Sequence, residues 1–599
     1  MRQWRAARGR CVVMAIVAGA ATLSLTAQAD SQQAQFVAEI HEAMRQMMTA
    51  MDVTPTGDVD ADFAAMMIPH HVGAIAMAQA ELKAGRNEQL RRLAQEIIIT
   101  QQQEIAMMRL ALTPGSQPEA VPRAAASPSP TNNAADEVTR TGPGLPISHR
   151  DRVYAAEQFS NTVSVTDPAD NTLLGVIRLG DVTPGNVSPL YRGQLLVHGL
   201  GFSPDHRTLV VVSIGSNSVT FIDTATNAVK HVTYVGRSPH EAFFTPDGKE
   251  VWVTVRGESY VAVLDGMTYE ERARIDVPSG PGMQIFSPDG RYGYICSSFT
   301  AETVVVSVAD HRIVGRVPQE SPFCPNIAAT PDGKQVWFAL KDIGKVSVFD
   351  ARPPFARLKT IETGPITNHV NFVYNAQGEF AYVTVGGLDQ VQVFRTSDFS
   401  KVTTIPVGTL PHGLWPSGDG SRMYVGLENA DQLIAIDTAT HTVIGAIPIG
   451  QAPQAVVYVP NAVPDGSGTQ HLEPLGAAGE TTQLTLGPRD AAEANSHPTS
   501  VTLFDQGLTQ VLQASVTGLE PRSPYVLALS DAPDGEGALE PLAAFTTNPQ
   551  GSAIVNAVGP IRQVVQGNGG VGRRYLAIAP GTAADHGQPV QVQVQRAVK

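Results

Sequence analysis

Cysteine is almost missing from this sequence: of three in 599 residues, Cys11 lies in the N-terminal segment, which leaves Cys296 and Cys324 either to pair or to stay free. Also missing are a C-x-x-C-H haem attachment, a G-x-S-x-G elbow, a P-loop and an H-E-x-x-H pair. These absences weigh against an enzyme and leave the question open. Positive charge is in deficit, with 42 Lys+Arg against 56 Asp+Glu, a net charge of −14 and a pI near 5.5. That balance argues against a nucleic-acid partner, which is held by clustered Lys and Arg. Only 16% of residues are charged, but 43% are hydrophobic, which excludes wholesale disorder. Long apolar runs are missing too. The run from residue 11 to about 25 is shorter than the roughly 20 residues a spanning helix needs, and none follows, so no membrane span is expected.

What is present divides the chain into segments. Arg2, Arg5, Arg8 and Arg10, the apolar run and Ala27-Gln28-Ala29 read as a secretory signal peptide over 1–29, which predicts a periplasmic or secreted protein. Residues 30–112 are helix-patterned. Seven prolines between 113 and 148 mark a linker with no core of its own. From 149 to 462 the chain repeats itself: Ser203-Pro204-Asp205, Thr245-Pro246-Asp247-Gly248, Ser287-Pro288-Asp289-Gly290 and Thr330-Pro331-Asp332-Gly333 recur at spacings of 42, 42 and 43. Each is tight-turn chemistry, followed by an alternating strand such as Val251-Trp252-Val253-Thr254-Val255. Degenerate copies follow at Asn375 and Ser417, and second strands ending near Asp167, Asp223, Asp265, Asp310, Asp350, Arg395 and Asp437 mark seven units of about 42 residues, the dimensions of a propeller blade. A long first interval implies an insertion over 181–194. The first unit lacks an inner strand, and Ala455-Val456-Val457-Tyr458-Val459 is a spare one that closes the ring. After a second linker at 463–478, residues 479–599 show about eight short strands, expected as a β-sandwich. There Gly518-Leu519-Glu520-Pro521 followed by Tyr525 looks like a fibronectin-type corner.

Units such as Tyr424-Val425-Gly426 through Leu433-Ile434-Ala435-Ile436-Asp437 resemble the YVTN-type seven-bladed β-propellers, which specifies a fold and leaves function open. The helical segment is more specific. Nine of the 14 methionines fall in it, and three helices are expected, about 31–51, 59–84 and 87–112. Helical spacing gathers His41, Met44 and Met48 on the first, Met67, His70, His71 and Met77 on the second, and Glu104 and Met108 on the third. Thioethers beside imidazoles select copper, especially Cu(I). Pro69 also interrupts the backbone bonding of the second helix, a kink that would aim the two imidazoles.

Met66-Met67-Ile68-Pro69-His70-His71, with Asp62-Phe63, Met77-Ala78 and Glu81, resembles the family known as domain of unknown function 305. The resemblance implies a ferritin-like helical bundle and exported copper binding linked to copper tolerance, with His70, His71, Met67 and Met77 in the core motif. His41, Met44 and Met48 lie outside that motif.

A second set of imidazoles lies in the propeller. Counted from the turn proline, His198, His240 and His412 all fall six residues earlier and His369 seven, so all four are expected around one end of the channel. The arrangement loosely resembles the copper-holding clusters of nitrous oxide reductases, but Gly282, Pro325 and Gln454 occupy the other blades' places. Cys324, beside that register, offers a fifth ligand. Glu157, Glu241 and Glu258 read as blade-edge or solvated carboxylates. The expected whole is a multidomain chain: an all-α ferritin-like bundle, a seven-bladed β-propeller and a β-sandwich. Copper capture by the bundle, with the propeller as scaffold or platform for a periplasmic partner, is the leading reading. A propeller-mouth enzyme (a metal-dependent lactonase-like hydrolase or a copper redox enzyme) with its own metal, and an interaction module without metal, are the alternatives.

Overall fold

The computed structural model describes residues 33, 36–53, 56–85, 105, 144–180, 195–476, 481–489, 498–505, 510–559, 561 and 573–594. They form two compact units, a helical one before residue 134 and an all-β one from 144 onward. The expected signal peptide, most of the Pro-rich linker, the insertion at 181–194, and Glu104 and Met108 lie outside the described residues, as does all but Ile105 of the third helix.

Two helices are described, α1 (36–51) and α2 (Val59–Ala84). Asp58 caps α2, its carboxylate accepting the Ala61 N–H at 3.2 Å. Lys83 pairs with Glu39 at 3.1 Å, and Met47 packs against Gly73, so the helices run antiparallel. That register sets Met44 level with Met77 and Met51 level with His70. The second helix runs unbroken through Pro69. Among the described residues no helix is long and apolar enough to cross a membrane.

In the all-β unit, seven four-stranded antiparallel sheets stand as blades. Six are consecutive in sequence, from Val197–Phe202 at the start of blade 2 to Thr442–Pro448 at the end of blade 7. Blade 1 is composite: the late strand Pro453–Val459 pairs with Arg152–Glu157, which closes the ring without a free inner edge. Each Pro-Asp-Gly turn forms for a local reason. Thr245 Oγ1 donates to Asp247 at 2.7 Å, the Gly248 N–H donates back to the Thr245 carbonyl at 2.8 Å, and Gly248 takes φ +71°. The blades meet through a belt of buried rings on the second strands. Tyr154, Trp252, Tyr294, Trp337, Tyr382 and Tyr424 share one register, and only blade 2 substitutes Val210 there.

Cys296 and Cys324 form a disulfide, with Cα atoms 6.0 Å apart, that ties blade 4 to the chain entering blade 5. The tail departs from the sandwich expectation. Its eight strands join in one continuous barrel-like sheet around a single apolar cluster. The joint is the short strand Gln591–Gln593, which pairs with Tyr575–Pro580 on one side and Thr481–Pro488 on the other. Inward–outward alternation is the same in a sandwich and a barrel, so only this pairing separates them. The corner is present, with the Glu520 N–H donating to the Tyr525 hydroxyl at 3.1 Å.

Candidate metal centre

The innermost strands of blades 2, 3, 6 and 7 begin at Val197, Pro239, Thr367 and Pro411. Each starts with a β-bulge: the step from Val197 to Leu200 spans three residues while its partner goes only from Ser213 to Val211, and the other three strands repeat this. A bulge re-aims side chains that a regular strand would send to alternate faces. The first bulged position holds His198, His240, Asn368 and His412, and the second holds Gly199, Glu241, His369 and Gly413. His369, one residue out of step in the sequence count, is thus the blade 6 counterpart of Glu241.

The bulges bring four imidazoles together. Ring centroids are 4.2 Å apart for His198 and His240, 6.4 Å for His198 and His412, and 4.7 Å for His369 and His412. All four are buried, and Glu241 beside them is only 1% exposed. Thr254 and Thr384 on the second strands hold two of the bulges. Thr254 Oγ1 accepts the Glu241 N–H at 3.1 Å and donates to the Gly282 carbonyl at 3.0 Å. Thr384 Oγ1 does the same for the His369 N–H and the His412 carbonyl, both at 2.8 Å. His412 Nδ1 donates to the Gln454 carbonyl at 2.7 Å, which fixes its tautomer and leaves Nε2 as its ligand atom.

Four buried polar atoms at the bulged positions have no hydrogen-bond partner: His198 Nδ1, His240 Nδ1, Glu241 Oε1 and, on blade 6, Asn368 Oδ1. Glu241 Oε1 stands 3.6 Å from the first and 3.9 Å from the second, too far for hydrogen bonds. Ligands about 2.0–2.1 Å from a tetrahedral ion lie roughly 3.4 Å apart, whereas the partners of a bridging water at about 2.8 Å lie about 4.6 Å apart. The two distances fall between these limits, on the side of the ion, and the three ligand atoms all lie within 4.8 Å of one another. Burial holds His240, His369 and His412 well below the usual imidazole range, so they are neutral, the form that binds metal. Burial also pushes the Glu241 carboxyl up, against the pull of His198. The pocket for this carboxylate depends on Gly199, where a Cβ would fall 2.6 Å from Glu241 Oε2 and 2.4 Å from the His240 carbonyl oxygen.

Below the imidazoles lies a cavity of about 200 Å³, lined by Glu241, His369, Asn326, Asn371 and the apolar Leu414 and Trp415. Above them the C-terminal sheet forms a roof. The Asn429 carbonyl accepts from Thr502 Oγ1 at 2.8 Å and Gln483 Nε2 at 3.1 Å, Gln513 donates to Glu428, and Phe159 packs on Phe504 at 4.9 Å.

Several expectations change on this geometry. Glu241 is part of the imidazole cluster rather than a blade-edge carboxylate, because the bulge turns it inward beside His240. Glu157 is wholly buried, and only Glu258 is a surface residue, paired with Arg237 at 2.7 Å. Cys324 cannot ligate as a thiolate because its sulfur is bonded to Cys296. In the helical unit His70 and His71 diverge, as adjacent helical positions must, with rings 5.8 Å apart, His70 exposed and His71 8% exposed. His71 Nδ1 bonds the Met67 carbonyl at 2.7 Å. Met67 and Met77 are half-buried, and His41, Met44 and Met48 are exposed. Glu241, Thr254 and Thr384 escape the sequence reading. The one visible signal was the repeated Val-Thr-Val of Val253 to Val255 and Val383 to Val385.

A closed seven-bladed ring with a roofed, histidine-lined mouth, on a chain that also carries a helical unit, defines a multidomain β-propeller protein. The chain belongs to the YNCE-like beta-propeller family, which it matches over residues 130–464, and residues 1–112 match the Domain of unknown function (DUF305). No curated protein matches it. Among solved structures it is similar to hydrazine synthase of Kuenenia stuttgartiensis (19% identity, 44% of this chain and 90% of that one, TM-score 0.40). It is also similar to the periplasmic gluconolactonase of Pseudomonas aeruginosa (20% identity, 52% and 99%, TM-score 0.42). A functionally unknown protein of Desulfotomaculum acetoxidans is similar at 15% identity, over 51% of this chain and 98% of that one, with a TM-score of 0.44.

Proposed function

We propose that this is an exported metal-binding protein with its principal ion site at the propeller mouth, on His198, His240 and Glu241, with His412 and His369 adjoining. The convergence of three buried, unpartnered ligand atoms at 3.6 and 3.9 Å carries this reading. Two imidazoles and a carboxylate suit Cu(II) or Zn(II). The helical unit, with its Met and His on antiparallel α1 and α2, is a second and softer site for Cu(I), with His71, Met67 and Met77 as its central donors and His70 at its edge. Export rests on the basic and then apolar start of the chain, and copper on the Met/His chemistry of the helices.

The test is metal retention by the full-length chain after loading with Cu(II) or Zn(II) and dialysis. His198→Ala or His240→Ala is expected to remove one equivalent, and His70→Ala with His71→Ala to lower Cu(I) retention separately. Unchanged stoichiometry in both mouth variants would sink the mouth site.

A further inference from the structure

The mouth has a second side, on blades 3, 4 and 5, where the inner strands carry no imidazole beyond His240. Four residues past the belt ring of each second strand the chain turns at the rim, and there stand Arg256 after Trp252, Ser298 after Tyr294 and Lys341 after Trp337. They are three consecutive positions of one ring. Arg256 Nε and Ser298 Oγ are buried with no hydrogen-bond partner. Blade 4 has Gly282 where its neighbour has His240, and a Cβ there would fall 2.4 Å from Ser298 Oγ, so the glycine keeps that hydroxyl uncovered.

The two cations are close together, and the Glu428 and Asp342 carboxylates lie near the Lys341 ammonium. The Arg256 guanidinium lies over the Phe299 and Phe323 rings at 5.6 and 5.4 Å, and the Lys341 ammonium lies over the same Phe323 at 5.9 Å. Among the described residues neither side chain forms an ion pair with a carboxylate. Glu428 accepts from Gln513 of the roof through one oxygen and keeps the other without a hydrogen-bond partner, and Asp342 faces both Lys341 and Ser321, so these acids offset Lys341 while Arg256 is left with burial alone. A largely buried guanidinium is costly unless an opposite charge reaches it, and a bound anion would supply one. The rim reaches solvent beside Arg256. The roof meets the propeller at Phe159, Leu196, Ala452 and Asn429, on or beside blades 1, 2 and 7, and touches blade 5 through Gln550 and Ile343. Beside Arg256, Phe299 is 57% exposed.

We propose that Arg256, Ser298 and Lys341 form an oxyanion subsite that seats the carboxylate or phosphate group of a small acid entering over blades 3 to 5. The guanidinium fork and the ammonium bind the charge, and the Ser298 hydroxyl donates to a third lone pair. The inference rests on the proposed function in one respect: the other end of that acid faces the His198, His240 and Glu241 ion.

The experiment is calorimetric titration of the metal-free full-length chain with oxalate and, in separate runs, inorganic phosphate, at fixed ionic strength. The wild type is expected to bind at least one of them, and Arg256→Met and Lys341→Met each to weaken binding by about tenfold or more, as loss of a charge-assisted contact does. Tighter oxalate assigns a carboxylic acid, and tighter phosphate a phosphate ester. No binding of either anion by the wild type, or unaltered binding in both variants, overturns the subsite. Lys341→Met, at a partly buried turn, serves as the second variant should Arg256→Met fail to fold. Anion binding by a chain that retains no metal would sink the metal reading and leave this one standing, and metal retention with no anion bound would do the reverse.

Discussion

Glu157 shows what burial alone does to a carboxyl group in this molecule. It is wholly buried, accepts from Thr162 Oγ1 at 2.6 Å and the Ser164 N–H at 3.1 Å, and burial pushes its pKa up to about 8. Its unfolded value is near 4.3. Between those values the folded state holds a proton that the unfolded state has lost, so the contribution of Glu157 to stability is greatest below about pH 4 and falls as pH rises toward 8. Glu157→Gln keeps the shape without the charge. The variant is expected to be more stable than wild type at pH 8 by about 4–5 kcal/mol and to match it near pH 4, read by urea denaturation at the two pH values. A constant offset at both would refute it. Glu157, Glu241 and Glu258 are one residue type, yet they become a buried acid, a candidate ligand and a surface ion pair. Burial is a property of the closed ring, so nothing local distinguishes them.

At the scale of elements, the bulged inner strand is the device that makes the mouth. Gly199 has no special φ, and its role is purely one of space. Gly199→Ala is expected to push back Glu241 and the His240 carbonyl, costing about 1–3 kcal/mol of stability as overpacking does and at least halving retained metal. Retention equal to wild type would show that the Glu241 pocket is not needed. The blades themselves were legible, because Pro-Asp-Gly turns and period-two strands are local chemistry. The bulges were not, since two adjacent residues facing one channel look like any other pair in sequence. His369 shows this directly: counting put it one step off, and the register explains why. The tail's barrel-like closure depends on Gln591–Gln593, three residues without a turn signal of their own. The Cys296–Cys324 pairing, open in sequence, followed from their placement on adjoining blades.

At the scale of the whole molecule, the C-terminal sheet is anchored on the propeller rim beside the imidazoles. Phe504 is fully buried in a small cluster with Phe159, Ala452 and Val511. Phe504→Ala is expected to loosen that junction by roughly 3 kcal/mol while leaving the blades closed. Metal should then pass to EDTA severalfold faster, with the same stoichiometry before chelation. Identical release rates would mean that the roof does not gate the mouth.

The amino-acid order by itself determined seven repeats, the strand that closes them, a Met/His-rich helical segment and the approximate register of four histidines. Each of these is written in periodicity or turn chemistry that acts over a few residues. Only the tertiary structure decided that Glu241 joins the imidazoles, that Arg256, Ser298 and Lys341 share one rim, and that a barrel-like sheet covers the mouth. Those groups come from different blades and from a sheet beyond the propeller, and only ring closure and docking bring them together.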